Sequence, residues 1–200
     1  MRYHEVYKES IDYSAQSWQK RVNQIDWYKV SNTILSKNQY KYQQWFEDSQ
    51  LTLSYLCIDR HLKDGFESQN AVIYDSPVIN IKQDITFDQL HHEVSKLADG
   101  LKDLGLKKGG LFIIGMSIIT QAVFVMLACV RIKVIHLVVL VGFAVHELTF
   151  GINDCKPRVI ITASNGTKTE KIIPHKSFVN KVIAKAENKS KRKRLSHQKK

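Results

Sequence analysis

From residue 71 onward, short unbroken apolar runs alternate with stretches in which apolar residues recur every three or four positions. Ala71-Val-Ile-Tyr74 reads as a strand, Asp75-Ser-Pro77 as a turn, and Ile85-Thr-Phe87 as a second short strand. Leu90, Val94, Leu97, Leu101 and Leu104 then mark one apolar helix face, and Gly105 stops that helix. After the Lys107-Lys-Gly-Gly110 turn, Leu111–Met116 predicts a strand, Thr120–Ile132 a helix and Val134–Val141 a strand, apolar but for His136, of the kind parallel sheets bury. A helix from about Ala144 to Asp154, a strand Arg158–Thr162 and a last helix from about Lys176 to Ala186 continue the alternation. This is βαβ grammar, and it predicts a mostly parallel sheet with helices on both faces.

One stretch invites a different reading. Leu111–Val130 is twenty residues without a formal charge, the length of a membrane span. Gly115, Ser117, Thr120 and Gln121 interrupt it midway, and βαβ signals flank it on both sides. A buried strand plus helix accounts for it better than a transmembrane helix.

The first sixty residues differ. Aromatics recur there without a repeat, from Tyr3 and Tyr7 through Trp18, Trp27, Tyr28, Trp45 and Phe46 to Tyr55. Arg and Gly are too sparse among them for a platform that stacks bases, so these rings are expected to pack a small helical cap.

Composition sharpens the picture at two points. The formal charge is +11, yet residues 181–200 hold nine Lys/Arg against Glu187, so +8 of it lies in the last twenty residues. The body is nearly balanced, and only the tail, with Lys189-Ser-Lys-Arg-Lys-Arg194, has the composition of a nuclear localisation signal or a nucleic-acid patch. That tail is expected to lack structure through self-repulsion. The cysteines, Cys57, Cys129 and Cys155, have no metal-ligand spacing and read as buried thiols in a reducing compartment. The N-terminal residues lack the apolar core of a signal peptide, and Glu5 and Glu9 argue against a transit peptide.

No self-contained catalytic set stands out. His91-His92-Glu93 is not a His-Glu-x-x-His site and reads as a solvated helix face, and His136, in an apolar strand without an adjacent acid, reads as a satisfied buried histidine. Gly166-Thr-Lys168 lacks the spacing of a phosphate loop and reads as a solvated loop.

Ile25-Asp-Trp-Tyr-Lys29, Trp45-Phe46, Ile58-Asp-Arg-His61, Ile73-Tyr-Asp-Ser-Pro-Val78, Met126-Leu-Ala-Cys129, Gly142-Phe143 and Lys156-Pro157 occur in this order and spacing. Together they resemble the short-chain acyl-CoA synthetases of the propionyl/acetyl type, AMP-forming members of the adenylate-forming ligases. The resemblance covers about residues 1–186. It implies an α/β fold: a helical, aromatic N-terminal cap over 1–65, the first, incomplete Rossmann-like subdomain of an adenylate-forming enzyme over 66–186, and a basic tail over 187–200. It also implies a short carboxylate as substrate, with Mg-ATP and coenzyme A as ligands, in the cytoplasm or the mitochondrial matrix. Tyr74-Asp-Ser-Pro-Val78 resembles the propionate-preferring branch.

By the same resemblance, Gly142 and Phe143 lie beside the pantetheine arm, and Lys168, Thr169, Glu170 and Lys171 belong to the segment that contacts the coenzyme's phosphates. Two departures bear on these sites. Gly115-Met-Ser-Ile-Ile-Thr-Gln121 replaces a turn that usually holds two prolines and an acid, and Val141 replaces a glycine next to Gly142. The phosphate loop, the Mg²⁺-holding acid and the catalytic lysine of the family are not found in the sequence. The expectation is an N-terminal portion of a propionate/acetate CoA ligase, inactive by itself, with a sheet edge left open to association. The alternative is a non-catalytic binding protein that uses the basic tail on a polyanion or nucleic acid.

Overall fold

The structure, a computed structural model, describes residues 2–40, 42–139, 145–168, 171–187 and 193–195. It divides into two compact units, Met1–Leu56 and Cys57–Lys200. In the first, helices α1 (Tyr3–Asp12) and α2 (Ser14–Val22) precede an antiparallel hairpin, β1 (Leu35–Lys37) and β2 (Gln43–Trp45). Only part of the aromatic pattern packs as expected, since Tyr3, Tyr7, Tyr13, Tyr28, Tyr40 and Tyr42 are exposed. Trp18 meets Trp45 edge-on at 5.9 Å, and Trp27 lies 5.3 Å from Phe46 and donates its indole N–H to the Val22 carbonyl at 2.8 Å. Each such ring pair contributes about 0.5–1.5 kcal/mol beyond the area it buries. Asp48 accepts from the Ser31 hydroxyl and the Asn32 amide, which hold its carboxyl down at about 2.

The second unit begins within a π-helical turn, Tyr55–Asp59, that continues as α3 (Arg60–Lys63). An antiparallel pair follows, β3 (Asn70–Ser76) and β4 (Ile81–Thr86), with Asp75 opposite Lys82 and their charges 3.0 Å apart. Helix α4 (Phe87–Asp103) starts on a reciprocal cap: Gln89 N–H donates to Thr86 Oγ1, and Thr86 N–H donates to Gln89 Oε1. Leu90, Val94, Ala98 and Leu101 form its buried face. It ends where Gly105, at φ +82°, lets the Leu106 N–H reach the Leu101 carbonyl.

Then come β5 (Leu111–Gly115), α5 (Thr120–Arg131), β6 (Ile135–Val139), α6 (Val145–Cys155) and β7 (Val159–Thr162). After a hairpin, β8 (Gly166–Lys168) and β9 (Lys171–Ile173), the chain forms α7 (His175–Lys185) and β10 (Lys193–Leu195). The main sheet runs β10-β7-β5-β6, parallel throughout. Phe112 and Ile114 of β5 enter a core built with α4 and α5, whereas Ile113 enters a second core with Leu148 and Ile152 of α6 and Val179 and Val182 of α7. Leu111–Val130 is therefore a strand and a helix, and among the described residues no helix is long and apolar enough to cross a membrane.

Several expectations need correction, and β6 is one: expected as a buried strand, it lies at the sheet edge with Ile135, Leu137 and Val138 exposed. Lys193–Leu195 of the tail pairs in parallel with β7, whose outer edge would otherwise leave its backbone groups without partners. Gly166–Lys168 and Lys171–Ile173, expected as a solvated loop, pair as antiparallel strands. Of the three thiols only Cys129 is buried, with its pKa pushed up to about 12 by burial; Cys155 is partly buried and raised, and Cys57 is exposed.

Another concerns His91, which is partly exposed but sits against an ion pair that the reading of a solvated face did not foresee. Arg131 of α5 forks onto Asp59, Nη1 to Oδ2 at 2.9 Å and Nη2 to Oδ1 at 2.6 Å, and His91 Nε2 lies 3.1 Å from Arg131 Nη2. The two charged side chains are 25% and 27% exposed, so the pair is screened less than a surface bridge. It ties the turn before α3 to α5 beside α4. Arg131→Met keeps the apolar stem and leaves the carboxylate without its fork. We expect a loss of about 1–3 kcal/mol, read as a lower denaturant midpoint with an unchanged slope.

Candidate functional site

In an open parallel sheet, successive crossovers that leave to opposite sides open a crevice at the carboxyl ends of the strands, and ligands bind there. Here β6 lies on one side of β5 and β7 on the other, which puts that point between the ends of β5 and β7. Ser117 follows β5, and Ala163 and Ser164 follow β7.

Of the residues filling this point, Ser117 and Gly166 lie in segments the sequence singled out, whereas His175 was not marked. Ser117 Oγ lies 3.4 Å from Nε2 of His175, the first residue of α7. His175 is 1% exposed, and its Nδ1 has no hydrogen-bond partner among the described residues. Whichever nitrogen carries the proton, one buried polar atom is left bare, a cost of about 1–3 kcal/mol. Burial also lowers the histidine's pKa, so the neutral ring is favoured. Gly166 of β8 packs against the pair, where a Cβ would overlap both the His175 ring and the Ser117 hydroxyl. Two amides fix the approaches: Ile119 N–H donates to the Ser117 carbonyl at 2.9 Å, and Lys176 N–H to the Ser164 carbonyl at 3.2 Å. The turn after β5 is thus closed by a backbone bond, with Ile118 exposed at its tip.

Of the residues assigned by resemblance, Gly142, Phe143, Thr169 and Glu170 lie outside the described residues. Lys168 and Lys171 end β8 and begin β9, and the hairpin register sets them directly opposite each other. His136, on β6 opposite Phe112, is half-buried rather than buried, and burial lowers its pKa. No cluster of His, Cys, Asp and Glu among the described residues could hold a metal ion.

Residues 64–200 match the sequence family described as AMP-binding enzyme, and residues 3–57 match the one described as acetyl-coenzyme A synthetase N-terminus. Among curated relatives, acyl-CoA synthetase short-chain family member 3, mitochondrial, of Bos taurus is 39% identical over 166 residues, 83% of this chain and 24% of the relative. Acetyl-coenzyme A synthetase of Marinomonas sp. is 39% identical over 184 residues, 88% of this chain and 28% of the relative. The chain therefore spans under a third of the length of the relatives it matches. Among solved structures, acetoacetyl-CoA synthetase from Streptomyces lividans superposes with a TM-score of 0.86 at 18% identity, over 98% of this chain and 30% of that one, a likeness of fold.

The buried His175 sets a pH dependence. Its folded pKa lies below the ordinary value, so the unfolded chain takes up the proton first, and stability is lost as pH falls through about 6.5 toward the folded value. Melting followed from pH 7.5 to 5.5 should show a falling midpoint, with a shallower fall in His175→Gln; the part that remains includes His136, whose pKa is lowered the same way. Gly166→Ala should destabilise at every pH by about 1–3 kcal/mol, since the buried ring has no room to move aside.

Proposed function

Since this chain belongs to the AMP-binding enzyme family, matched over residues 64–200, we propose that it is the N-terminal portion of a short-chain acyl-CoA synthetase. The carrying observation is the succession of two matches in one chain, the N-terminus of acetyl-coenzyme A synthetases and then the AMP-binding enzymes. In this reading residues 1–65 are the family's cap, 66–186 the start of the adenylation domain and 187–200 a basic tail. The complete reaction joins a short carboxylate to ATP, releases pyrophosphate, and passes the acyl group from the adenylate to the thiol of coenzyme A. Propionate is favoured over acetate by Tyr74-Asp-Ser-Pro-Val78. Such a reaction runs where ATP and coenzyme A are available, in the cytoplasm or the mitochondrial matrix.

Gly142 and Phe143 are assigned to the pantetheine arm, and Lys168, Thr169, Glu170 and Lys171 to the coenzyme's phosphates. The cross-strand register supports the second assignment, since it pairs two lysine positions at the end of a short hairpin. Lysine brings charge without arginine's two-pronged fork, so the phosphates are held loosely. Adenylation needs positive charge and donors positioned around the transferring group, and the sequence has no loop or lysine matching the family's for that step. These residues by themselves therefore do not form an acyl-adenylate. The exposed Ile135, Leu137 and Val138 on the edge strand β6 are the surface through which they associate, in keeping with an edge that further strands would cover.

Incubated with Mg-ATP and propionate or acetate, the chain should release no pyrophosphate above a protein-free blank; release that depends on the carboxylate would refute the reading of the adenylation step. Calorimetric titration with coenzyme A should give an affinity of about 100 μM or weaker, roughly −5.5 kcal/mol. Lys171→Ala should weaken it further, and micromolar binding indifferent to that change would overturn the assignment of the phosphate segment.

A further inference from the structure

The amino ends of the strands carry a concavity unrelated to the crevice at their carboxyl ends. A cleft of about 550 Å³ opens between α4, the turn from α4 into β5 and the turn from α5 into β6. Lys102, Lys107, Lys108, Arg131 and Lys133 line it against one acid, Asp99. Asp99 pairs with Lys102 at 3.1 Å, and Arg131 is held by Asp59. Among the described residues no carboxylate lies within ion-pair distance of Lys107, Lys108 or Lys133.

Lysines gather at helix carboxyl ends for an ordinary reason, because they offset the dipole and cap the last carbonyls. That reason falls short here. Both helices are closed by their own backbone: Gly105 N–H reaches the Lys102 carbonyl and Leu106 N–H that of Leu101, while Lys133 N–H reaches Val130 and Val134 N–H reaches Cys129. The two helix ends supply about one negative charge between them. Three lysines without a carboxylate exceed it.

Lys133 is the most telling of them. It sits at φ +60°, the left-handed conformation that glycine adopts freely and that costs other residues about 1–2 kcal/mol. Strained residues of this kind collect at ligand clamps. The two lysine-bearing turns are also fastened together, since Gly109 N–H donates to the Lys133 carbonyl at 2.8 Å and Ile135 N–H to the Gly110 carbonyl at 3.0 Å. The cations are thus mounted on one rigid frame. Ser95 adds a buried hydroxyl, without a partner, to the lining.

We propose that this cleft binds a compact oligophosphate, a small molecule bearing a diphosphate or triphosphate group. Its volume falls in the range of small-ligand sites. No aromatic side chain lines it, so the phosphates rather than a base or ring would carry recognition. Ammonium groups on flexible stems suit the several directions of phosphate oxygens better than the flat fork that a lone carboxylate prefers.

Sodium tripolyphosphate, titrated calorimetrically into the full chain at low ionic strength with a chelator present, should bind saturably with one site. Lys108→Gln and Lys133→Gly should each weaken that binding about fivefold, the scale of a partly exposed ion pair. Lys133→Gly should at the same time raise the melting temperature, because it relieves the left-handed strain, so a loss of affinity there is not a loss of fold. Absence of saturable binding overturns the proposal. So does binding that both variants leave unchanged, which would place the ligand on the basic run 189–194 instead.

Discussion

Strand β5 has no solvent side. Phe112 and Ile114 point into one core and Ile113 into another, so the chain must supply helices to both faces before the strand can be buried. It does so in order, α4 and α5 for one face, α6 and α7 for the other, with β6 and β7 closing the two edges. Both functional regions are consequences of that burial. The crevice bounded by Ser117, Gly166 and His175 lies beyond the carboxyl end of β5, and the lysine cleft lies before its amino end. One apolar strand thus separates two polar sites, and neither side chain chemistry intrudes on the other.

Much of this was legible in the sequence where the physics is local. Helix α4 announces itself through Leu90, Val94 and Leu101 on one face and Gly105 at its stop, whereas Thr86, which caps its start with Gln89, lay inside residues read as a strand. The strands β5 and β7 are short apolar runs between turn residues, and the sequence needed no partner to mark them. The two three-residue hairpins, β1–β2 and β8–β9, were missed because they are too short and too polar to show an alternation. The end of α5 was read to within one residue, but the left-handed stop behind it was not, because glycine ordinarily signals that conformation and here Lys133 occupies it.

Partner choice was the other blind spot. Asp59 and Arg131 are 72 residues apart, and Ser117 and His175 are 58 apart. Nothing within a local window tells which distant group a charge or hydroxyl will meet. The string Ile58-Asp-Arg-His61 contains Asp59, and Met126-Leu-Ala-Cys129 ends two residues before Arg131, so two separate signals of the resemblance lie beside a single ion pair.

The unequal burial of the three cysteines gives the molecule an internal clock. A thiol reacts as its thiolate, so in the native state a maleimide or disulfide reagent meets a ready target at exposed Cys57, while Cys129 and Cys155 are held back by burial and raised pKa. Cys129 is on α5, within the core that packs one face of β5, and Cys155 ends α6, beside the core on the other face. Labelling of fully buried Cys129 therefore needs the layer of α4 and α5 to open, and its rate times that opening, whereas partly buried Cys155 reports the local surroundings of the end of α6.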